Sequence, residues 1–224
     1  VIAERISRLP PGLRALLDIA CVEGEVFTAE ALARLRGGDE GEISACLSSE
    51  LDRQHRLVRA QSIERSGGQL LSRYRFRHIL FQKYLYGTLD EVERVHLHEK
   101  VGTALEGLHG TQGGTTDTAA TAAIAVQLAW HFQEARITEK AIHYLHQAGD
   151  KAVQLSAYQE GIAHLSRGLA LLMALPDSGG EEHRLERAQQ ELDLQLSLGL
   201  AWRPTGIGGI AKGEKANNRA RELC

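Results

Sequence analysis

Residues 57–77 read LVRAQSIERSGGQLLSRYRFR, and this stretch decides the fold class because its period differs from that of the residues on either side. In Leu71–Arg77 the arginines Arg73, Arg75 and Arg77 alternate with Tyr74 and Phe76. A period of two sends the two sets to opposite faces of an extended chain. Leu57–Ile63 is a second short segment of the same kind, and Ser66-Gly67-Gly68 between them supplies a turn. The pair is expected to form a β-hairpin with one apolar and one basic face.

Upstream the period is helical. Leu13, Leu16, Leu17, Ala20 and Cys21 recur three and four residues apart behind Pro10-Pro11, which suit a helix entry. Thr28 is placed to cap a second helix that runs to Leu35 and stops at Gly37-Gly38, and Asp39 to cap a third with Ile43, Cys46, Leu47 and Leu51 on one face. Three helices and a hairpin follow the order of a winged helix, whose third helix and wing are the usual DNA-contacting parts.

Downstream everything reads as helix. One helix is expected from His78 to Thr88 and another from Glu91 to Leu108, with Val92, Val95, Val101, Ala104, Leu105 and Leu108 as its stripe. Residues 109–121, rich in Gly and Thr, offer little apolar surface and mark a linker. Further helices are expected over 122–135, 138–155, 158–175 and 182–202, with a last one after Gly208-Gly209. The resulting division is a winged-helix-like domain over 1–90, a connecting helix and linker over 91–120, and helical repeats over 121–224.

Composition agrees with a mostly α chain. Of 224 residues only 4 are Pro and 5% are aromatic, and ten of the 23 Gly gather in 107–114, 179–180 and 206–213, read as punctuation between helices. No apolar run approaches the roughly 20 residues of a membrane span, and no basic-then-apolar leader opens the chain. Cys21, Cys46 and Cys224 lie far apart without a CxxC pair, as expected of reduced thiols in the cytoplasm. A start at Val1 and an end within a charged helical pattern suggest an internal segment of a longer protein.

Internal repetition appears in 145–176. Leu145, Gly149, Ala152, Tyr158, Gly161, Leu165 and Gly168 occupy the apolar and small positions of a tetratricopeptide repeat, with Gly161 and Gly168 where Ala is usual. Small residues there let paired helices approach closely. A second partial match begins at Leu198-Gly199 and includes Trp202 and Gly206.

The ordered pieces 5–10 (RISRLP), 20–27 (ACVEGEVF), 74–80 (YRFRHIL) with Gln82 and Tyr86, 94–98 (RVHLH), 128–132 (LAWHF), 148–152 (AGDKA) and 220–224 (ARELC) together resemble one arrangement. It is the segment behind the ATPase module of STAND-type signal-transduction ATPases, especially bacterial regulators that join a nucleotide cyclase or DNA-binding domain to an ATPase and tetratricopeptide repeats. The resemblance implies a regulatory, non-enzymatic segment with two partners: its own upstream ATPase domain, which would bind ATP and Mg, and a protein held by the repeats. It also implies that His78, in the order Phe76-Arg77-His78, is a nucleotide contact in the parent. The chain itself has no GxxxxGK[ST] loop, so no cofactor is expected here.

Seven arginines, Arg53, Arg56, Arg59, Arg65, Arg73, Arg75 and Arg77, face one acidic residue, Glu64, between positions 53 and 77. Such a patch suits a nucleic-acid backbone or an acidic protein surface, and the charge count leaves both open. Glu40, Glu42, Glu50 and Asp52 on the third helix weigh against DNA. A DNA-binding winged helix with a repeat-type sensor, and a stand-alone repeat scaffold, remain as alternatives. His96-x-His98 and His143-x-x-His146 lack the spacing of a helical zinc site, and Arg94 with His98 is expected to brace its helix against a neighbour. His131, between Trp130 and Phe132, is expected to be a partly buried hydrogen-bonding residue. No nucleophile elbow or metal site is expected.

Overall fold

The computed structural model describes residues 2–66, 69–109, 118–176 and 180–223. The chain is mostly helical with one small antiparallel sheet, and it divides into two compact units, Val1–Gly114 and Thr115–Cys224.

In the first unit a short helix α1 (Ile2–Ser7) precedes α2 (Pro11–Glu23). Pro11 costs nothing in the first turn, where its missing N–H has no helical partner. Strand β1 (Val26–Thr28) leads into α3 (Ala29–Arg36), which Gly37 ends in the left-handed conformation at φ 64°. Helix α4 (Glu40–Cys46) is capped by Asp39, whose carboxylate accepts from the Gly41 and Glu42 N–H groups at 2.8 and 3.1 Å. The expected third helix is not regular throughout, because its winding widens to a π-helix over Leu47–Gln54. Strands β2 (Val58–Ser66) and β3 (Gln69–Phe76) form the hairpin. The expected Gly67-Gly68 turn lies outside the described residues.

The sheet order is β1-β3-β2, all antiparallel, with a bulge between Ala60 and Ser62. Phe27 stands opposite Tyr74, and Val58 opposite Phe76. The Phe27 ring stacks on Tyr74 at 6.2 Å and tilts against Phe76 at 5.2 Å, and all three are buried. Strand β1 was not expected, since three residues are too few to show an alternation. Thr28, expected to cap α3, instead turns its hydroxyl to donate to Glu23 at 2.7 Å.

Helices α5 (Ile79–Thr88) and α6 (Glu91–His109) complete this unit. The α6 helix packs on α2 and α3, so it belongs to the first unit rather than to a connector. His98 Nε2 lies 3.0 Å from the Tyr86 hydroxyl and the Arg94 guanidinium sits over the Tyr86 ring, which braces α6 against α5 as the spacing suggests.

The second unit is a run of helices: α7 (Thr118–Glu134), α8 (Thr138–Gln154), α9 (Tyr158–Ala174), α10 (Glu181–Trp202) and α11 (Ile207–Leu223), with a 3₁₀ turn at Arg203–Thr205. Each helix packs on the next. One spacing recurs three times: a small residue, a left-handed residue seven positions on, and two further small residues seven apart. The sets are Ala129, Arg136, Ala141 and Ala148; Gly149, Ser156, Gly161 and Gly168; and Gly199, Gly206, Gly213 and Ala220. Arg136, Ser156 and Gly206 have φ of 60°, 62° and 91°; the first two make the same reversal, five residues before the next small residue of the set, whereas Gly206, at ψ -170° behind a 3₁₀ turn, makes a different one seven residues before Gly213. The earliest set is invisible to a search for glycine because its small residues are alanines.

The small residues are needed where they stand. A Cβ on Gly161 would lie 3.1 Å from the Gly149 carbonyl oxygen and 2.9 Å from Val153 Cγ2, and one on Gly213 would lie 3.2 Å from the Gly199 carbonyl oxygen. Both helix pairs therefore meet backbone to backbone. Gly161→Val should push α9 off α8 and cost about 1–3 kcal/mol, seen as a melting temperature lower by several degrees. Gly208→Ala, whose Cβ would meet nothing within 4 Å, should stay within about 0.5 kcal/mol of the parent in the same calorimetric scan.

Candidate functional site

The hairpin carries the residues that the charge pattern singles out. Its alternation holds: Tyr74 and Phe76 are buried while Arg73, Arg75 and Arg77 point away from them. Those three are not bare cations. Arg73 Nε donates to Glu64 at 2.9 Å across the hairpin, and Arg77 Nη2 donates to Asp52 at 2.5 Å on the π-helical stretch. Arg75 Nε lies 3.2 Å from the Glu25 carboxylate without hydrogen-bond alignment. Three of the seven arginines thus meet carboxylates of their own unit, which removes much of the excess charge that a phosphate backbone would feel. Arg53, Arg56, Arg59 and Arg65 are exposed. His78 is the N-cap of α5, its Nδ1 accepting from the Leu80 N–H at 3.1 Å, and it too is exposed.

Behind β3 lies a polar cluster that composition does not reveal. Glu23 ends α2 and is 4% exposed. One of its oxygens takes the Thr28 hydroxyl and the other, Oε2, has no hydrogen-bond partner. Burial pushes its carboxyl up to about 7, against the lowering effect of the Thr28 hydrogen bonds and of Arg73, and Glu30 adds to the rise. Glu30 is itself buried and accepts the Ser72 N–H with both oxygens at 3.0 and 2.8 Å, which ties α3 to β3. The helical period did contain a signal for Glu23, because it follows Leu16 and Ala20 on the buried face of α2.

The other titratable groups have structural surroundings. The Cys21 thiol is buried, donates to the Asp18 carbonyl and is pushed far up by burial, while the Cys46 thiol is raised by burial and by Glu50. Neither is primed as a thiolate. His131 is wholly buried beside Trp130, deeper than expected. His146 lies 3.1 Å from the Ser197 hydroxyl and 3.3 Å from Asp150, and His143 lies 3.2 Å from Gln147. Among the described residues there is no group of three or more His, Cys, Asp or Glu able to hold a metal ion, and no helix is long and apolar enough to cross a membrane.

In the second unit α9, α10 and α11 line an open groove of about 640 Å³. Leu169, Leu198, Trp202 and Ala216 give it apolar walls, and Lys212, Lys215 and Arg219 stand along α11 at its rim. Lys212 Nζ rests 4.4 Å from the Trp202 ring centre. Arg219 is held by Glu191 at 2.6 Å and by Glu222 at 3.1 Å. Comparison of the chain with protein-family models, with curated proteins and with solved structures finds no match.

Glu23 has a measurable consequence. Its carboxyl holds a proton in the folded chain at pH values where the unfolded chain, titrating near 4.5, has lost it. That contribution to stability is full below about 4.5 and is lost as pH rises through about 7. His98, which burial lowers to about 4, has the opposite slope between about 4 and its ordinary 6.5. The clean readout is therefore a difference. From pH 5 to pH 8 the unfolding free energy of the parent should fall relative to that of Glu23→Gln by about 2–3 kcal/mol in urea titrations. A flat difference would mean that Glu23 titrates normally.

Proposed function

We propose that this chain is the regulatory and protein-interaction segment of a multidomain, ATP-dependent signal-transduction protein, and that it is not itself an enzyme. Residues 1–90 act as a winged-helix element that couples to an upstream ATPase domain, and the helical pairs of 121–224 act as tetratricopeptide-like repeats that hold a protein partner. The observation that carries this reading is the small-residue spacing with the same reversal at Arg136 and Ser156, followed by a related set at 199–220, because stacked helical pairs of this kind present extended binding surfaces. The apolar groove edged by Lys212 and Lys215 gives such a surface a place to seat a partner side chain.

In the first unit the order of three helices and a hairpin, with β1 added to the sheet, supports the winged-helix reading. Internal pairing of Arg73, Arg75 and Arg77 favours a packing role over DNA binding. ATP and Mg belong to the parent's ATPase domain in this proposal, with His78 as a nucleotide contact from the outside. The structure holds neither. An exposed imidazole with Nδ1 committed to the α5 cap leaves Nε2 facing outward, which fits such a contact.

Two measurements test the reading. ATP hydrolysis by the parent protein should change when residues 1–110 are deleted, and an identical rate would remove the coupling role. The chain alone should retard duplex DNA no better than about 100 μM at physiological salt, the non-specific range. Tight binding with a steep salt dependence, lost on replacing Arg59 and Arg65, would favour the DNA-binding alternative.

A further inference from the structure

A cavity in the first unit is used by none of the roles above. It measures about 320 Å³ and is lined by Arg5, Arg8, Gln54, His55, Arg56 and Leu57. Three arginines line it and no acidic residue does, while the Glu4 carboxylate lies on Arg8. A concentration of cations on one wall is unfavourable unless an anion offsets it, and Glu4 answers only Arg8 among the three.

The cavity is built by two separate pieces of chain. Arg5 comes from α1, and residues 54–57 come from the turn that leads from the π-helical stretch into β2. Arg5 Nη2 donates to the His55 carbonyl at 2.6 Å and reaches the Arg56 carbonyl at 3.5 Å, while its guanidinium sits over the Phe81 ring, 5.0 Å from the centre. Its plane is thereby set before any ligand arrives, and a guanidinium keeps further N–H groups to offer. Arg56 holds φ 51°, a conformation rare for a side chain of its size, and the Arg5 bonds to the two carbonyls secure that turn. Arg8, just after α1, is tethered to Glu4 at 2.5 Å, which orients it and leaves its other N–H donors uncommitted to that carboxylate.

We propose that this cavity is a binding site for a phosphoryl group of a small molecule, held by Arg5, Arg8 and Arg56 with Gln54 and His55 as further donors. A tetrahedral dianion accepts paired N–H donors from several directions, and three planar forks around one space match it better than a carboxylate, which accepts in one plane. The volume accommodates a phosphate or diphosphate with little else, so the organic remainder of a phosphate ester would lie outside. The site stands on the geometry of the first unit and does not depend on the coupling role.

The test is titration calorimetry and thermal shift of the whole chain with inorganic phosphate, inorganic pyrophosphate and ADP in a low-chloride buffer. Arg8→Ala and Arg56→Gly are the variants of choice. The first removes an exposed side chain, and the second removes a cation while relieving the left-handed turn, so both should fold. Pyrophosphate should bind with Kd between about 10 μM and 1 mM, and each variant should weaken it at least about fivefold. ADP binding no tighter than pyrophosphate would assign the site to the phosphoryl group alone, and tighter ADP binding would assign the source to a nucleotide. Absence of binding by all three at about 10 mM, or binding unchanged in the double variant, overturns the proposal.

Discussion

A strand paired on both edges has no freedom of register, and in the first unit that strand is β3. Its period of two commits Tyr74 and Phe76 to the core together with Phe27 and commits Arg73, Arg75 and Arg77 to the other side. A slip of one residue would exchange aromatic rings for guanidinium groups in the interior. The neighbours follow from that constraint. Glu64, Glu25 and Asp52 come from β2, from the turn between α2 and β1 and from the π-helical stretch to meet the three arginines, while Ser44 and Ser48 meet the Tyr74 hydroxyl at 3.1 and 2.8 Å.

The second unit is governed by a different economy, that of distance between backbones. Gly149 against Gly161, and Gly199 against Gly213, let adjacent helices close to contact, and Leu165, Leu172, Leu194 and Leu198 then fill the space around those points. One buried acid of this interior is paired: Glu191 is 7% exposed and answered by Arg219. The first unit tolerates a polar interior too, but leaves Glu23 Oε2 unanswered. Burial there favours the protonated carboxyl and pushes Glu23 up to about 7.

Much of this was legible in residue spacing. The alternation of Leu71–Arg77 identified the hairpin, Asp39 the start of α4, and the four-residue interval of Arg94 and His98 the brace on α5. Spacing failed where an element is short or where the partner is distant in sequence. Strand β1 has three residues, too few for a period. The pairing of Arg75 with Glu25 spans fifty positions, and the charge count of 53–77 overstated the patch because it could not include Glu25 or Asp52. The cavity at Arg5 and Arg56 was illegible for the same reason, since its two walls are fifty residues apart.

By itself the sequence determined the local commitments of this chain: which stretches are helical, which alternate, and where small residues allow close packing. These follow from side-chain period and volume, which neighbouring residues suffice to express. Only the tertiary structure decided which charges are neutralised and which remain available. Electrostatic partnership depends on distance in space, and folding sets that distance without reference to separation along the chain. Thus the arginines of β3 became internal fasteners, while Arg5, Arg8 and Arg56, which no charge count along the chain joins, line one open space.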